Sequence, residues 1–219
     1  MIRVVKGQRP EVLQQNEGSW LDEFLSDPQN GTKRYRYRTP EIKQALIAET
    51  HSKCIYCESK IGHNTPGDVE HKIPTSLVRE RHFDWENLTI ACTECNRRKN
   101  DYLDAERPFL DPYADNVEAR LVHYGPVVAW VDGDAPAEIT VRKLALNEST
   151  RLQLILRKIE KLEQLSILRG RIVNELSEPL RLILETRLEE MQSDGAEYAG
   201  MIRSAMRTQG SVRSIEQER

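Results

Sequence analysis

No stretch of this 219-residue chain approaches the roughly 20 consecutive apolar residues that a membrane-spanning helix requires, and its mean hydropathy of -0.63 suits a protein facing water. The amino terminus, MIRVVKGQRP, has basic residues but lacks the apolar core of a secretory signal, so a cytoplasmic location is expected. Internal repeats and low-complexity tracts are also missing, which excludes solenoid architectures. Nor does either charge dominate: the net charge is -3. That average says nothing for or against nucleic acid, because binding depends on where the charge sits. Here it is uneven. Lys33, Arg34, Arg36 and Arg38 crowd together with Tyr35 and Tyr37 between them, and Arg97, Arg98 and Lys99 form a second cluster. Cysteine is scarce too, with four residues, all in two pairs: Cys54-x-x-Cys57 and Cys92-x-x-Cys95. In a reducing compartment, such pairs read as metal ligands before disulfides.

The coarse organisation is α+β. Residues 1–50 form a lead-in, in which Trp20, Leu21, Phe24 and Leu25 have helical spacing until Asp27 to Gly31 breaks it. Thr39-Pro40 predicts the start of a helix running to Thr50. Residues 51–103 carry the cysteines and 104–145 a connector. The connector holds two short strands, Arg120 to Tyr124 and Val127 to Val131, with Glu138 to Val141 as a candidate third. From 146 to 219 the chain reads as a helical hairpin or bundle. Leu152, Ile155, Ile159, Leu162 and Leu165 mark one apolar face, and Pro179 ends or kinks that helix. A second helix carries Leu180, Ile183, Leu184, Leu188 and Met191, a shorter third follows, and the last dozen residues read as frayed. This leucine-rich tail reads as a self-packing hairpin or as a docking surface for another protein.

Two C-x-x-C knuckles supply the four thiolates that a tetrahedral structural zinc prefers. The 34 residues between them exceed what a simple ribbon needs, so something is inserted there. Such a site contributes on the order of 10–16 kcal/mol of apparent binding free energy to folding, enough to hold a small insert rigid. The alternative, four buried cysteines or two redox pairs, fits the paired spacing poorly.

The insert reads Asp68-Val69-Glu70-His71-Lys72-Ile73-Pro74, then Trp85-Glu86-Asn87-Leu88, then Cys95-Asn96-Arg97-Arg98-Lys99-Asn100. This order resembles the HNH, or ββα-metal, nuclease family. It departs from the founding pattern at Glu70, where many members have Asp, and at Asn96, where that pattern has the last His. The resemblance implies a zinc-framed ββα-metal core with small added strands, and an endonuclease that hydrolyses phosphodiesters of nucleic acid, DNA above all. That chemistry needs an activated water and charge neutralisation at the phosphate. Glu70 and Asn96 make the sparse oxygen site that Mg²⁺ or Mn²⁺ tolerates. His71 is the natural general base. By analogy with the family, Asn87 fixes the loop and orients the histidine without touching the metal. Neighbours on an ideal strand face opposite ways, so Glu70 and His71 are expected at a strand end or bulge. Asp68 shares the face of Glu70 as a possible spare ligand. Arg97, Arg98, Lys99, Arg34, Arg36 and Arg38 are candidate nucleic-acid contacts. His51, His63, His82 and His123 read as surface or packing residues.

Beyond the module, Phe109-Leu110-Asp111-Pro112-Tyr113 and the Leu146-Asn147 entry into the helical tail resemble the HNH subunits of Septu-type anti-phage systems, found also with some retrons. That resemblance implies a defence nuclease partnered by a large ATPase of the ABC/RecF-like type. A stand-alone restriction-type nuclease and a non-catalytic zinc module for nucleic-acid or partner binding are the competing readings.

Overall fold

The computed structural model describes residues 1–62 and 67–207, so the expectation for His63 and that of a frayed end after 207 lie outside the described residues. Helix α1, Glu11–Ser26, buries Leu13 and Phe24 and stops before Asp27-Pro28. Asn30 then accepts from the backbone N–H groups of Thr32 and Lys33 and opens a single turn, α2, Gly31–Arg34. Helix α3, Pro40–Glu49, begins at the predicted proline, although the Thr39 side chain makes no capping bond and its hydroxyl is buried without a partner. The lead-in joins the core, because Met1, Ile2 and Val4 are buried and Val4 N–H donates to the Pro112 carbonyl at 2.9 Å.

Strands β1, Gly67–His71, and β2, Leu88–Cys92, pair antiparallel with Gly67 opposite Cys92 and His71 opposite Leu88. Glycine at 67 leaves room for its neighbours, since a Cβ there would lie 2.6 Å from Ile61 Cδ1 and 3.0 Å from Ile90 Cδ1 and would make those side-chain tips move. Helix α4, Thr93–Lys99, follows β2 directly and packs on both strands. This is a ββα unit. A short helix α5, Val117–Arg120, leads into the hairpin of β3, Leu121–Tyr124, and β4, Val127–Trp130.

The candidate third strand is instead part of helix α6, Ala135–Lys143. Asp134 caps it by accepting from Ala137 N–H, and Pro136 occupies its first turn. Those start signals outweigh the β-branched run Ile139-Thr140-Val141. Helices α7, Leu152–Asn174, and α8, Glu178–Gln192, make an antiparallel hairpin, and Pro179 opens the second helix rather than closing the first. The buried stripe of α7 is also rotated from the expected one. It runs through Leu154, Lys158 and Leu165, while Leu152 and Ile159 are exposed. A lysine in the stripe disguised it.

A further helical stretch over 199–207 returns to the cysteine region: Tyr198 meets Ser59 at 3.0 Å, and Lys53 Nζ donates to the Ala196 carbonyl at 2.8 Å. One hydrophobic cluster accordingly runs from Met1 to Ile202, through Leu46, Trp85, Ile90, Leu146 and Leu165. The far end of the α7–α8 hairpin stands outside it, with Ile167, Val173, Leu176, Leu180, Leu182 and Ile183 exposed.

Candidate active site

The two cysteine pairs meet. Cys54 and Cys57 lie on a tight turn in which Glu58 N–H donates to the Cys54 carbonyl. Cys92 ends β2 and caps α4, its sulfur accepting from Cys95 N–H at 3.4 Å. All four sulfurs lie within 4.8 Å of one another, Cys57 and Cys92 being 3.9 Å apart, and none is in a disulfide. Zinc–sulfur bonds of roughly 2.3 Å in a tetrahedron put sulfurs about 3.8 Å apart. The donor set and its spacing fit a structural zinc ion.

Next to this frame, β1, α4 and the basic segment enclose a cleft of about 330 Å³ whose walls include Asp68, Glu70, His71, Asn96, Arg34, Arg38 and Arg97. Glu70 and His71 are the last two residues of β1, the strand-end position at which neighbours can serve one space. Glu70 is buried, and Lys99 Nζ stands 2.6 Å from its Oε1. That buried ion pair sets the Glu70 carboxylate against a cation already in place. Burial pushes the Glu70 carboxyl above its ordinary range, against the pull of Lys99. The Glu70 carboxylate and the Asn96 amide on the wall of one cleft are oxygen donors of the kind that a hard divalent cation takes.

His71 Nε2 lies 2.9 Å from the His82 carbonyl. A carbonyl can only accept, so Nε2 carries the proton and Nδ1 keeps its lone pair. Two rings pack against it: His82 stacks on it at 5.0 Å between centroids, and Tyr37 meets it edge-on at 4.6 Å. Phe24 stacks on the other face of His82 at 4.0 Å. Burial holds the His71 pKa down to about 3, so the imidazole is neutral at physiological pH.

Asn87 is fully buried and touches only backbone. Its Oδ1 accepts from Ile73 N–H at 2.7 Å, and its Nδ2 donates to the carbonyls of Ile73 and Arg81, each at 3.0 Å. It thereby ties the chain after His71 to the segment leading into His82.

The expected cationic contacts separate. Arg34, Arg38 and Arg97 border the cleft, although Arg97 also pairs with Glu94 at 2.9 and 3.0 Å; Arg36 pairs with Glu23, and Arg98 with Glu94 and Thr150. Lys99 faces inward, with Nζ also 2.8 Å from the His71 carbonyl. Of the remaining histidines, His51 is exposed and His123 is buried, its Nδ1 without a hydrogen-bond partner among the described residues. His82 is more than packing, since its carbonyl sets the His71 tautomer. No local motif marks it: its own Nε2 donates to the Arg34 carbonyl at 2.6 Å, 48 residues away in sequence.

Residues 54–102 match the family model of HNH endonucleases, and this segment is an HNH endonuclease domain. Over 153 residues the chain is 28% identical to the Septu protein PtuB of Bacillus thuringiensis. The match takes in 69% of this chain and 57% of that protein, so the chain spans little more than half the length of its relative. Among the described residues no helix is long and apolar enough to cross a membrane.

Proposed function

We propose that the protein is a metal-dependent endonuclease that hydrolyses phosphodiester bonds, with DNA as its substrate, as the nuclease component of a Septu-type anti-phage system in the cytoplasm. One observation carries the catalytic reading: Glu70, His71 and Asn96 border a single cleft, with the His71 tautomer fixed from behind. His71 Nδ1 takes the proton of the attacking water. Glu70 and Asn96 would hold a divalent ion, Mg²⁺ or Mn²⁺, which would supply charge neutralisation during phosphodiester hydrolysis. Asn87 keeps the loop, and through it His71, in register. Arg34, Arg38 and Arg97 receive flanking phosphates. Arg38 is braced for this by Tyr37 Oη at 3.2 Å and by the Tyr35 ring at 4.4 Å, and the half-open Tyr35 offers a face for base stacking.

The defence role rests on the likeness to PtuB. The exposed apolar end of the α7–α8 hairpin supports a partner subunit, an ATPase of the ABC/RecF-like type. The catalytic reading is tested with supercoiled plasmid, Mg²⁺ and purified protein. His71→Ala is expected to cut at least about 10²-fold more slowly than the parent while keeping its zinc. A variant that cuts at the parental rate removes His71 as the base.

A further inference from the structure

A zinc ion held by four buried cysteines raises a question of charge. Four thiolates around one Zn²⁺ leave two negative charges in excess, and all four residues are shut off from water. Excess charge out of water is costly unless paired. Near the knuckles, Ser59 Oγ is 3.3 Å from Cys57, and Cys95 N–H donates to Cys92, but neither group is charged.

Two cations arrive from far along the chain. Arg151, immediately before α7, is 7% exposed, and Lys158, two turns into that helix, is 3% exposed. Arg151 Nη2 donates to Cys95 Sγ at 3.5 Å while Nη1 donates to the Leu144 carbonyl at 2.8 Å. Its principal attractive partners are Cys95, Cys57 and Cys92. Lys158 Nζ donates to the Pro126 carbonyl at 3.2 Å and is drawn electrostatically to Cys57 and Glu58. Arg151 at the start of α7 and Lys158 within it are thus both buried, with Arg151 in direct contact with the sulfur of Cys95. Cys95 is followed directly by Asn96, so whatever fixes Cys95 also fixes the start of the catalytic face of α4.

Resting on the zinc reading of the four cysteines, we infer that Arg151, with Lys158 behind it, is the built-in counter-charge of the zinc site and, by gripping the Cys95 sulfur, a positioning residue for Asn96. The fork matters as well as the charge, because one guanidinium joins Cys95 to the end of α6.

The test compares the full-length parent with Arg151→Met, Arg151→Lys, Lys158→Met and, as a buried apolar control in the same helix, Leu165→Met. Zinc transfer to a chromophoric chelator is followed in time, and the sulfur-to-cobalt charge-transfer band is recorded after Co²⁺ substitution. Loss of a charge-assisted hydrogen bond is expected to speed zinc release roughly tenfold or more in Arg151→Met. The cobalt band should shift to lower energy, because the Cys95 thiolate loses a donor. Arg151→Lys and Lys158→Met should release zinc several-fold faster, and Leu165→Met should match the parent in band position. Should Arg151→Met fail to fold, the other two cation variants carry the test. Parental release rates in both, or a parental cobalt band in a folded Arg151→Met, would overturn the inference. A parent that contains no zinc removes the frame itself, a separable result that overturns this inference with it.

Discussion

A histidine that stays neutral when buried stores a dependence on acid. His123 is 8% exposed, its Nδ1 has no hydrogen-bond partner among the described residues, and burial holds its pKa down to about 3, while an unfolded chain titrates near 6.5. Between those values the unfolded chain takes up a proton that the native protein refuses. Stability is therefore full above about pH 6.5 and drains as pH falls, until below about 3 both states are protonated. For one such imidazole the loss between pH 7.5 and 5.0 is about 2 kcal/mol. His123→Phe, which also removes an unsatisfied buried nitrogen, should lose that much less over the same interval, as read from urea unfolding at the two pH values. Parallel losses in parent and variant would show that His123 does not titrate on unfolding. At this scale the sequence was unevenly legible. The motif placed Asn87 in the loop, and its three bonds to backbone are those of a clamp. Nothing local marked His82, because its part depends on Phe24 and Arg34, which only the folded chain brings to it.

The seven residues of α4 bear an unusual share of the site. Cys92 caps the helix, Cys95 faces the zinc frame, Asn96 borders the cleft and Lys99 reaches Glu70. Their spacing gathers them, since position 99 lies one turn beyond both 95 and 96 and continues their side of the helix. The ββα order was legible because strand, knuckle and helix are consecutive and each has a local signal. The inward turn of Lys99 was not, because a basic run of three reads as a solvated face until a buried carboxylate appears opposite one member. Lys99→Met should leave Glu70 as an uncompensated buried charge and destabilise the protein by about 3–5 kcal/mol. Glu70→Gln introduced into that variant should recover much of the loss, because the two sites are coupled. Chemical denaturation of the four proteins in this cycle checks it, and strictly additive effects would show that the 2.6 Å contact carries no coupling.

At the scale of the whole molecule, the helical tail is two things at once. Leu146, Leu154 and Leu165 belong to the same hydrophobic cluster as the HNH sheet, and the tail also supplies Arg151 to Cys95, Tyr198 to Ser59 and the Ala196 carbonyl to Lys53. Between residues 167 and 183 the hairpin leaves that core and presents apolar residues to solvent instead, Leu176 being 99% exposed, before Leu188 and Met191 pack against the core again. Sequence patterning registered both halves as leucine-rich helix, since periodicity reports that a face is apolar and not what covers it. Two deletions separate the roles. A chain ending at residue 146 loses the cations at the sulfurs and the Tyr198 contact, so it is expected to purify without zinc or to aggregate. Replacing 167–183 by a short Gly-Ser linker removes no buried residue, and this protein should keep its zinc, its cooperative unfolding and its cutting of naked plasmid. Metal analysis and unfolding curves of the two distinguish them. A soluble, zinc-loaded 1–146 fragment would mean that the nuclease module folds on its own and that the tail is only an appendage.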